Sequence, residues 1–149
     1  MSAEEIRSIL ENYKTMAVVG LSTNPAKDSH RVAKYLKTEG YRIIPINPFA
    51  EVILGEECYK SLLDVPEIIE IVDIFRPAKD VPPIVNQAIE LRKKLGNPRV
   101  IWMQLGIVNE KAARRARNVG LTVVMDRCTM TEHKRLCMKG TPSNGTEIS

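Results

Sequence analysis

The sequence predicts an α/β protein, a three-layer Rossmann-like fold with a mainly parallel sheet flanked by helices. Three observations carry that prediction. Short, near-continuous apolar runs, the kind a strand shows when it is covered on both faces, recur along the chain. Segments with apolar residues at three- and four-residue spacing lie between them. Glycine or proline punctuates most junctions. Strands alternating with helices of this length are joined by right-handed crossovers, which makes the sheet parallel and puts helices on both of its faces.

Residues 3–13 set Ile6, Ile9, Leu10 and Tyr13 at helical spacing with Glu4, Glu5, Arg7 and Glu11 between them, so an amphipathic helix leads into the sheet. The first strand covers 15–20 and ends at Gly20, where the backbone must turn tightly. A helix over 29–39 follows, with Asp28 or Ser29 as its cap, Val32, Ala33, Tyr35 and Leu36 on it, and Gly40 as a left-handed stop. The second strand covers 41–47, and Pro45 inside it implies a position near its end or a bulge. Signals weaken after Phe49: a short strand at 51–54, a turn at Gly55 and a short helix at 60–64.

A strand at 69–75 is broken by Arg76-Pro77, and a helix over 81–95 tolerates Pro82 and Pro83 in its first turn. Gly96-Asn97-Pro98 stops that helix. A strand at 99–105, a helix capped by Asn109 and running to Asn118, a strand at 121–125 and a closing helix at 129–138 complete the pattern. Residues 1–138 are therefore expected to form one domain, and the polar segment 139–149 to be disordered.

A chain of 149 residues suits one domain. Its 22 basic and 18 acidic residues leave a net charge of +4, which a small polyanion suffices to explain. No apolar run approaches the ~20 residues of a membrane span, and Met1-Ser2-Ala3-Glu4-Glu5 lacks the basic-then-apolar order of a signal peptide, so a cytoplasmic protein is expected. Cys58, Cys128 and Cys137 are odd in number and widely spaced, which suits reduced thiols rather than a disulfide framework or a metal site.

In an open α/β sheet, ligands lie outside the carboxyl ends of the strands. Those ends are Gly20-Leu21-Ser22, Asn47-Pro48, Phe75-Arg76-Pro77, Gln104-Leu105-Gly106 and Asp126-Arg127-Cys128. The stretch 15–31 reads as strand, phosphate loop and helix, with amide N–H groups at the helix start and Lys27 and Arg31 adding positive charge. A nicotinamide or flavin dinucleotide would want Gly-x-Gly-x-x-Gly there and an acid after the second strand; neither is present, and the Walker pattern is missing too.

The remaining conspicuous residues have plainer readings. Arg76 has an ion-pair partner in reach at Asp73 or Asp80, Trp102 belongs to the core, and His133 follows Glu132 on a charged helix as a solvated imidazole. His30 adjoins Ser29 but points another way, so no nucleophile and base can be paired and no catalytic residue is named. Lys111, Arg114, Arg115 and Arg117 give one helix a basic face, but without interleaved aromatics it argues poorly for nucleic acid.

Taken together, 19–27 (VGLSTNPAK), 44–48 (IPINP), 55–59 (GEECY), 72–76 (VDIFR), 102–107 (WMQLGI) and 124–128 (VMDRC) resemble the small CoA-binding proteins of the CoA-binding-domain family. The resemblance spans about 6–136. The same domain is similar to the CoA-binding part of the succinyl-CoA synthetase alpha subunit and of ADP-forming acyl-CoA synthetases, in which a further domain carries a phosphorylated histidine. The resemblance implies coenzyme A, or an acyl-CoA, as the cofactor and ligand, without ligase activity in this chain. An acid after the second strand would repel the 3′-phosphate, whereas Gly20, Leu21, Ser22, Thr23, Lys27 and Arg31 suit the phosphates, the hydroxyls of Ser22 and Thr23 as donors. Asn47 and Pro48 are expected to wall the adenine, Phe75 and Arg76 to pack on the ligand and contact phosphate, and Gln104 and Gly106 to line the pantetheine path. Cys128, beside Arg127, is placed near the CoA thiol, where a mixed disulfide is one outcome and an inert thiol the other. The leading expectation is a stand-alone, non-catalytic CoA-binding protein with a possible protein partner or homo-oligomer. The alternative is a subunit of an acyl-CoA or nucleotide-handling enzyme whose catalytic residues come from a partner.

Overall fold

Ser2 opens the first helix, α1 (Ala3–Asn12), by a reciprocal cap: its Oγ accepts from Glu5 N–H at 3.1 Å, and the Glu5 carboxylate accepts from Ser2 N–H at 2.8 Å. The computed structural model describes residues 1–138. After α1 come β1 (Thr15–Val19), α2 (Asp28–Thr38), β2 (Arg42–Ile46), β3 (Val52–Ile53), β4 (Glu56–Glu57) and β5 (Ile71–Ile74). Then follow α3 (Val81–Leu95), β6 (Val100–Met103), α4 (Glu110–Asn118), β7 (Thr122–Val124) and α5 (Thr129–Leu136). The segment 139–149 lies outside the described residues.

Five strands form one parallel sheet in the order β2-β1-β5-β6-β7. The chain winds outward from β1 to β2 and then crosses to the other side of β1, so strand order reverses between β1 and β5. Alternation along the strands divides the core. Met16 and Val18 of β1, with Ile71, Val100 and Trp102, pack toward α1, α2 and α5; Ala17 and Val19, with Val72, Ile74, Ile101 and Met103, pack toward α3 and α4. Trp102 is fully buried, as expected, and its indole N–H donates to Arg127 O at 2.8 Å. This is the three-layer α/β arrangement that the alternating pattern requires.

The departures have physical reasons. Pro45, by contrast, is where expected, next to the end of β2 and opposite Val18, and it is tolerated because β2 is an edge strand on which a missing N–H faces away from β1. The weak region after Phe49 folds as an antiparallel hairpin of β3 and β4, turned by Leu54 (φ +55°) and Gly55 (φ +75°), and as a single 3₁₀ turn at Leu62–Asp64 capped by Ser61. Its anchor is ionic: Arg42 of β2 reaches Glu56 at 2.6 Å and Glu67 at 2.5 Å, and Lys37 of α2 reaches Glu56 at 2.9 Å. A hydrogen bond from Lys37, supported by Arg42, holds the Glu56 carboxyl below its ordinary range, and Arg42 does the same for Glu67.

His133 is not solvated. It is buried between α2 and α5, its Nδ1 lies 2.7 Å from the Tyr35 hydroxyl, and Tyr35 and Tyr41 pack edge-on against its ring. The charged residues beside it in sequence hide that its own helical face is apolar. Burial pushes its pKa down. A folded-state pKa below the unfolded value of about 6.5 means that the stability it contributes is present above that pH and lost as pH falls through the lower folded value. The thermal midpoint is therefore expected to drop on acidification below about pH 6.5, and His133→Asn to flatten that limb while lowering the midpoint at about pH 7.5, both measurable by circular dichroism.

Candidate functional site: the crevice at the β1 and β5 ends

Gly20 follows β1 at φ +88°, and its N–H donates to Ile46 O at 3.1 Å. A Cβ at this position would lie 3.0 Å from Arg76 Cδ and 3.4 Å from the Phe75 carbonyl carbon, so the missing side chain gives Arg76 room to lie across the loop, and the left-handed backbone favours glycine there. The Arg76 guanidinium bonds to Asp80 at 2.8 Å. Asp73, the other acid within reach in sequence, faces the core instead.

The loop after Gly20 is a chain of internal hydrogen bonds. Ser22 N–H donates to Ser29 Oγ, Asn24 N–H to Ser22 Oγ, Ala26 N–H to Asn24 Oδ1 and Lys27 N–H to Asn24 O, each at 3.0 Å. The Nδ1–H of His30 donates to Ser22 O at 2.9 Å, and Asn47 Nδ2 to Leu21 O at 3.0 Å. This corrects two expectations. The cap position of α2 belongs to Lys27 and makes no side-chain cap bond, while Ser29 is spent on the loop. The N–H groups of Ser22, Asn24, Ala26 and Lys27 are satisfied internally, whereas those of Leu21 and Thr23 in the loop and of Asp28, Ser29 and His30 at the start of α2 take no partner among the described residues.

Two cavities flank Arg76. One, of about 630 Å³, opens on the α2 and α5 side and is lined by Gly20, Ser22, Lys27, Arg31, Phe75, Arg76, Gln104 and Cys128, with Asp28, Ser29, Val32, Leu105, Ile107, Met130 and Thr131 completing its wall. The other, of about 490 Å³, opens on the α3 side between Leu21, Asn47, Pro48, Phe49, Lys60, Asp80 and Ile84. Gly20, Ser22 and Arg76 border both, so the two form one crevice over the strand ends. Thr23 and Gly106 border neither: Thr23 is exposed, and Gly106 gives its N–H to Asp126 Oδ1 at 2.7 Å. Phe49, 96 % exposed at the mouth of the smaller cavity, and Lys60 give no signal in sequence beyond their nearness to Asn47-Pro48.

The site is cationic, with loosely held counter-charges. Lys27 makes no ion pair among the described residues, and Arg31 pairs with Asp28 at 2.8 Å where both side chains are more than half exposed. Exposed pairs of this kind contribute about 0–1 kcal/mol, so Arg31 and Arg76 can exchange partners at little cost. Cys128 occupies the cap position of α5 at the cavity wall, while the Arg127 guanidinium turns to Glu132 at 3.7 Å. Beneath the cavity floor Asp73 is fully buried, accepting from Gln104 Nε2 at 2.6 Å and from the Thr129 hydroxyl at 3.2 Å. Burial pushes its carboxyl up to about 7 against the opposing pull of those two bonds. No group of three or more His, Cys, Asp or Glu among the described residues is arranged to hold a metal ion, and no helix among them is long and apolar enough to cross a membrane.

A doubly wound parallel sheet with its crevice where strand order reverses defines the Rossmann-like α/β class. Within that class the chain belongs to the CoA binding domain family, whose model matches residues 14–134. It is 38 % identical over 132 residues to the uncharacterized protein YneT of Bacillus subtilis, covering 89 % of this chain and 94 % of that protein. It is 32 % identical over 108 residues to acetate–CoA ligase [ADP-forming] II of Archaeoglobus fulgidus, covering 71 % of this chain but 16 % of the ligase. Among solved structures, a hypothetical protein from Pyrococcus horikoshii OT3 superposes with a TM-score of 0.87 at 41 % identity, covering 93 % of this chain and 94 % of that one.

Gly20→Ala tests this close approach. The new Cβ meets Arg76 and the left-handed backbone disfavours it, so a loss of about 1–2 kcal/mol is expected in urea denaturation. An unchanged midpoint would show that the position does not need glycine.

Proposed function

We propose that this protein binds coenzyme A, or an acyl-CoA, as a stand-alone, non-catalytic CoA-binding protein of the cytoplasm. The observation that carries the reading is the crevice itself: Lys27, Arg31 and Arg76 surround the start of α2, and the second strand is followed by Asn47 rather than an acid. That charge pattern suits a ligand with a pyrophosphate and a ribose 3′-phosphate and disfavours a nicotinamide dinucleotide, whose ribose wants an acid there. The pyrophosphate meets the open N–H groups of α2 with Lys27 and Arg31, and Ser22 offers its hydroxyl. The adenine lies in the smaller cavity against Asn47 and Pro48, Arg76 contacts phosphate between the cavities, and the pantetheine arm runs past Phe75 and Gln104 toward Cys128. Thr23 and Gly106 are left with the roles of shaping their loops.

A second reading has one observation behind it, the likeness to part of an ADP-forming acetate–CoA ligase. There the chain acts as the CoA-holding subunit of an enzyme whose catalytic residues lie on a partner. Acyl-CoA synthesis appearing only when a second protein is added is the outcome that favours it.

A thermal-shift panel of CoA, acetyl-CoA, NAD, NADP and ATP tests the first reading. A ligand that binds only the folded state at about a hundredfold excess over its Kd stabilises it by about 2.7 kcal/mol. CoA or acetyl-CoA is expected to give the largest shift, and Lys27→Ala with Arg31→Ala to weaken CoA binding roughly tenfold or more by calorimetry; NAD heading the panel refutes the reading. Oxidised CoA gives a separate check on the thiol end. The Cys128 thiolate attacks one sulfur of the CoA disulfide, forming a protein–CoA disulfide and expelling one CoA thiolate. Intact-mass spectrometry is expected to find this adduct on the wild type and not on Cys128→Ser.

A further inference from the structure

Asp73 is a carboxylate with no ionic partner among the described residues, wholly buried on the central strand of the sheet, and the proposed ligand does not reach it. Its neighbours across the sheet, Val18 and Trp102, are apolar in their packing. What it touches is polar and specific. Gln104 Nε2 donates to Asp73 Oδ1 at 2.6 Å and to Thr129 Oγ1 at 2.9 Å, and the Thr129 hydroxyl donates to Asp73 Oδ2 at 3.2 Å. An ionised carboxylate only accepts, so the amide end of Gln104 is the end that must face it.

Both Nε2 hydrogens are thereby used. Gln104 Oε1 is left with no partner among the described residues, on a side chain only 4 % exposed that lines the larger cavity. An unsatisfied buried acceptor on a cavity wall is costly unless something in the cavity donates to it. The residue after Cys128 is Thr129, so this acceptor stands at the end of the crevice where the pantetheine arm runs.

We propose that Asp73 is a positioning residue: with Thr129 it holds the Gln104 carboxamide so that Oε1 faces the cavity and accepts a hydrogen bond from an amide N–H of the pantetheine arm. The inference rests on the CoA reading and names the group that recognises the arm. If Asp73 takes up a proton it can donate, and Gln104 is then free to turn its NH₂ toward the ligand, replacing an acceptor with a donor. Burial places that protonation at about 7, so the acceptor is present above neutrality and lost as pH falls through it. The charged groups on the surrounding elements have other partners: Arg76 bonds to Asp80, Glu132 of α5 to Arg135 and Arg127, and His133 of α5 to Tyr35.

The test compares CoA affinity by calorimetry from about pH 6 to 8.5 for the wild type, Asp73→Asn and the double variant Asp73→Asn with Gln104→Glu. In the single variant the introduced carboxamide can donate to the Gln104 oxygen, so that the Gln104 NH₂ turns to the cavity; a roughly tenfold loss of affinity at about pH 8 and a flatter pH profile are expected. In the double variant the same carboxamide donates to one oxygen of the carboxylate placed at position 104 while the other oxygen faces the ligand, so affinity at about pH 8 is expected to recover to within about threefold. Adenosine 3′,5′-bisphosphate, which lacks the arm, should bind all three alike. Equal CoA affinity in wild type and Asp73→Asn overturns the proposal, as does equal loss in the single and double variants, which is what a merely structural role produces. The wild type supplies a readout that needs no variant to fold: the Gln104 side-chain NH₂ signals should shift with the same pH midpoint as CoA affinity, and fixed signals beside a changing affinity overturn the proposal. A wild type that ignores CoA at every pH overturns the CoA reading itself, and the proposal with it.

Discussion

The reversal of strand order between β1 and β5 is the constraint from which the other features follow. Chains leaving those adjacent strand ends go to opposite faces of the sheet, one to α2 and one to α3, and a crevice must open between them. At its centre Gly20 brings no side chain to crowd Arg76, which lies across the opening. A bulkier residue there would crowd the Arg76 side chain and move its cation. The loop conformation and the placement of that charge therefore depend on one glycine.

Two kinds of polar interaction divide the work around that crevice. At its rim, Arg31 with Asp28 and Arg76 with Asp80 are exposed, so water screens them and an incoming anion can take either arginine. At its floor, Asp73 and Thr129 are fully buried beneath Gln104, which lines the cavity, and each hydrogen bond among them is strengthened by the low-dielectric surroundings. The rim pairs exchange partners readily, and the floor bonds are specific. On the proposed CoA reading, such a gradient catches a long ligand by charge at one end and registers it by geometry at the other.

Much of this is legible in sequence, for identifiable reasons. The helix over Val81–Leu95 is bounded by Pro82 and Gly96, residues whose backbone preferences act locally, and Asn109 caps α4 as its side chain dictates. Most of the candidate site follows from reading what comes after each apolar run, which is enough to put Lys27, Asn47, Arg76 and Gln104 around one crevice. What sequence does not reveal is of tertiary origin. Nothing local says that His133 finds Tyr35 across a helix pair, that Ser29 serves the preceding loop instead of its own helix, or that Asp73 turns inward. Asp73 alternates with Ile71 and so shares its buried face, but a carboxylate there is only sensible once Gln104 and Thr129 are known to meet it. Of the β3–β4 hairpin, the sequence shows the first strand and the Gly55 turn but not β4, because a two-residue strand carries almost no periodicity.

The covering of β2 has one more effect. Tyr59 bridges to its outer side, accepting from Asn47 N–H and donating to Pro45 O, and the hairpin anchored by Arg42 lies beyond. At the opposite margin β7 is only three residues long. Neither margin offers a template on which a stray chain can add strands, which is how proteins avoid amyloid-like growth. The exposed apolar side chains Phe49 and Leu105 thus stand at the crevice mouth and not along an open strand edge.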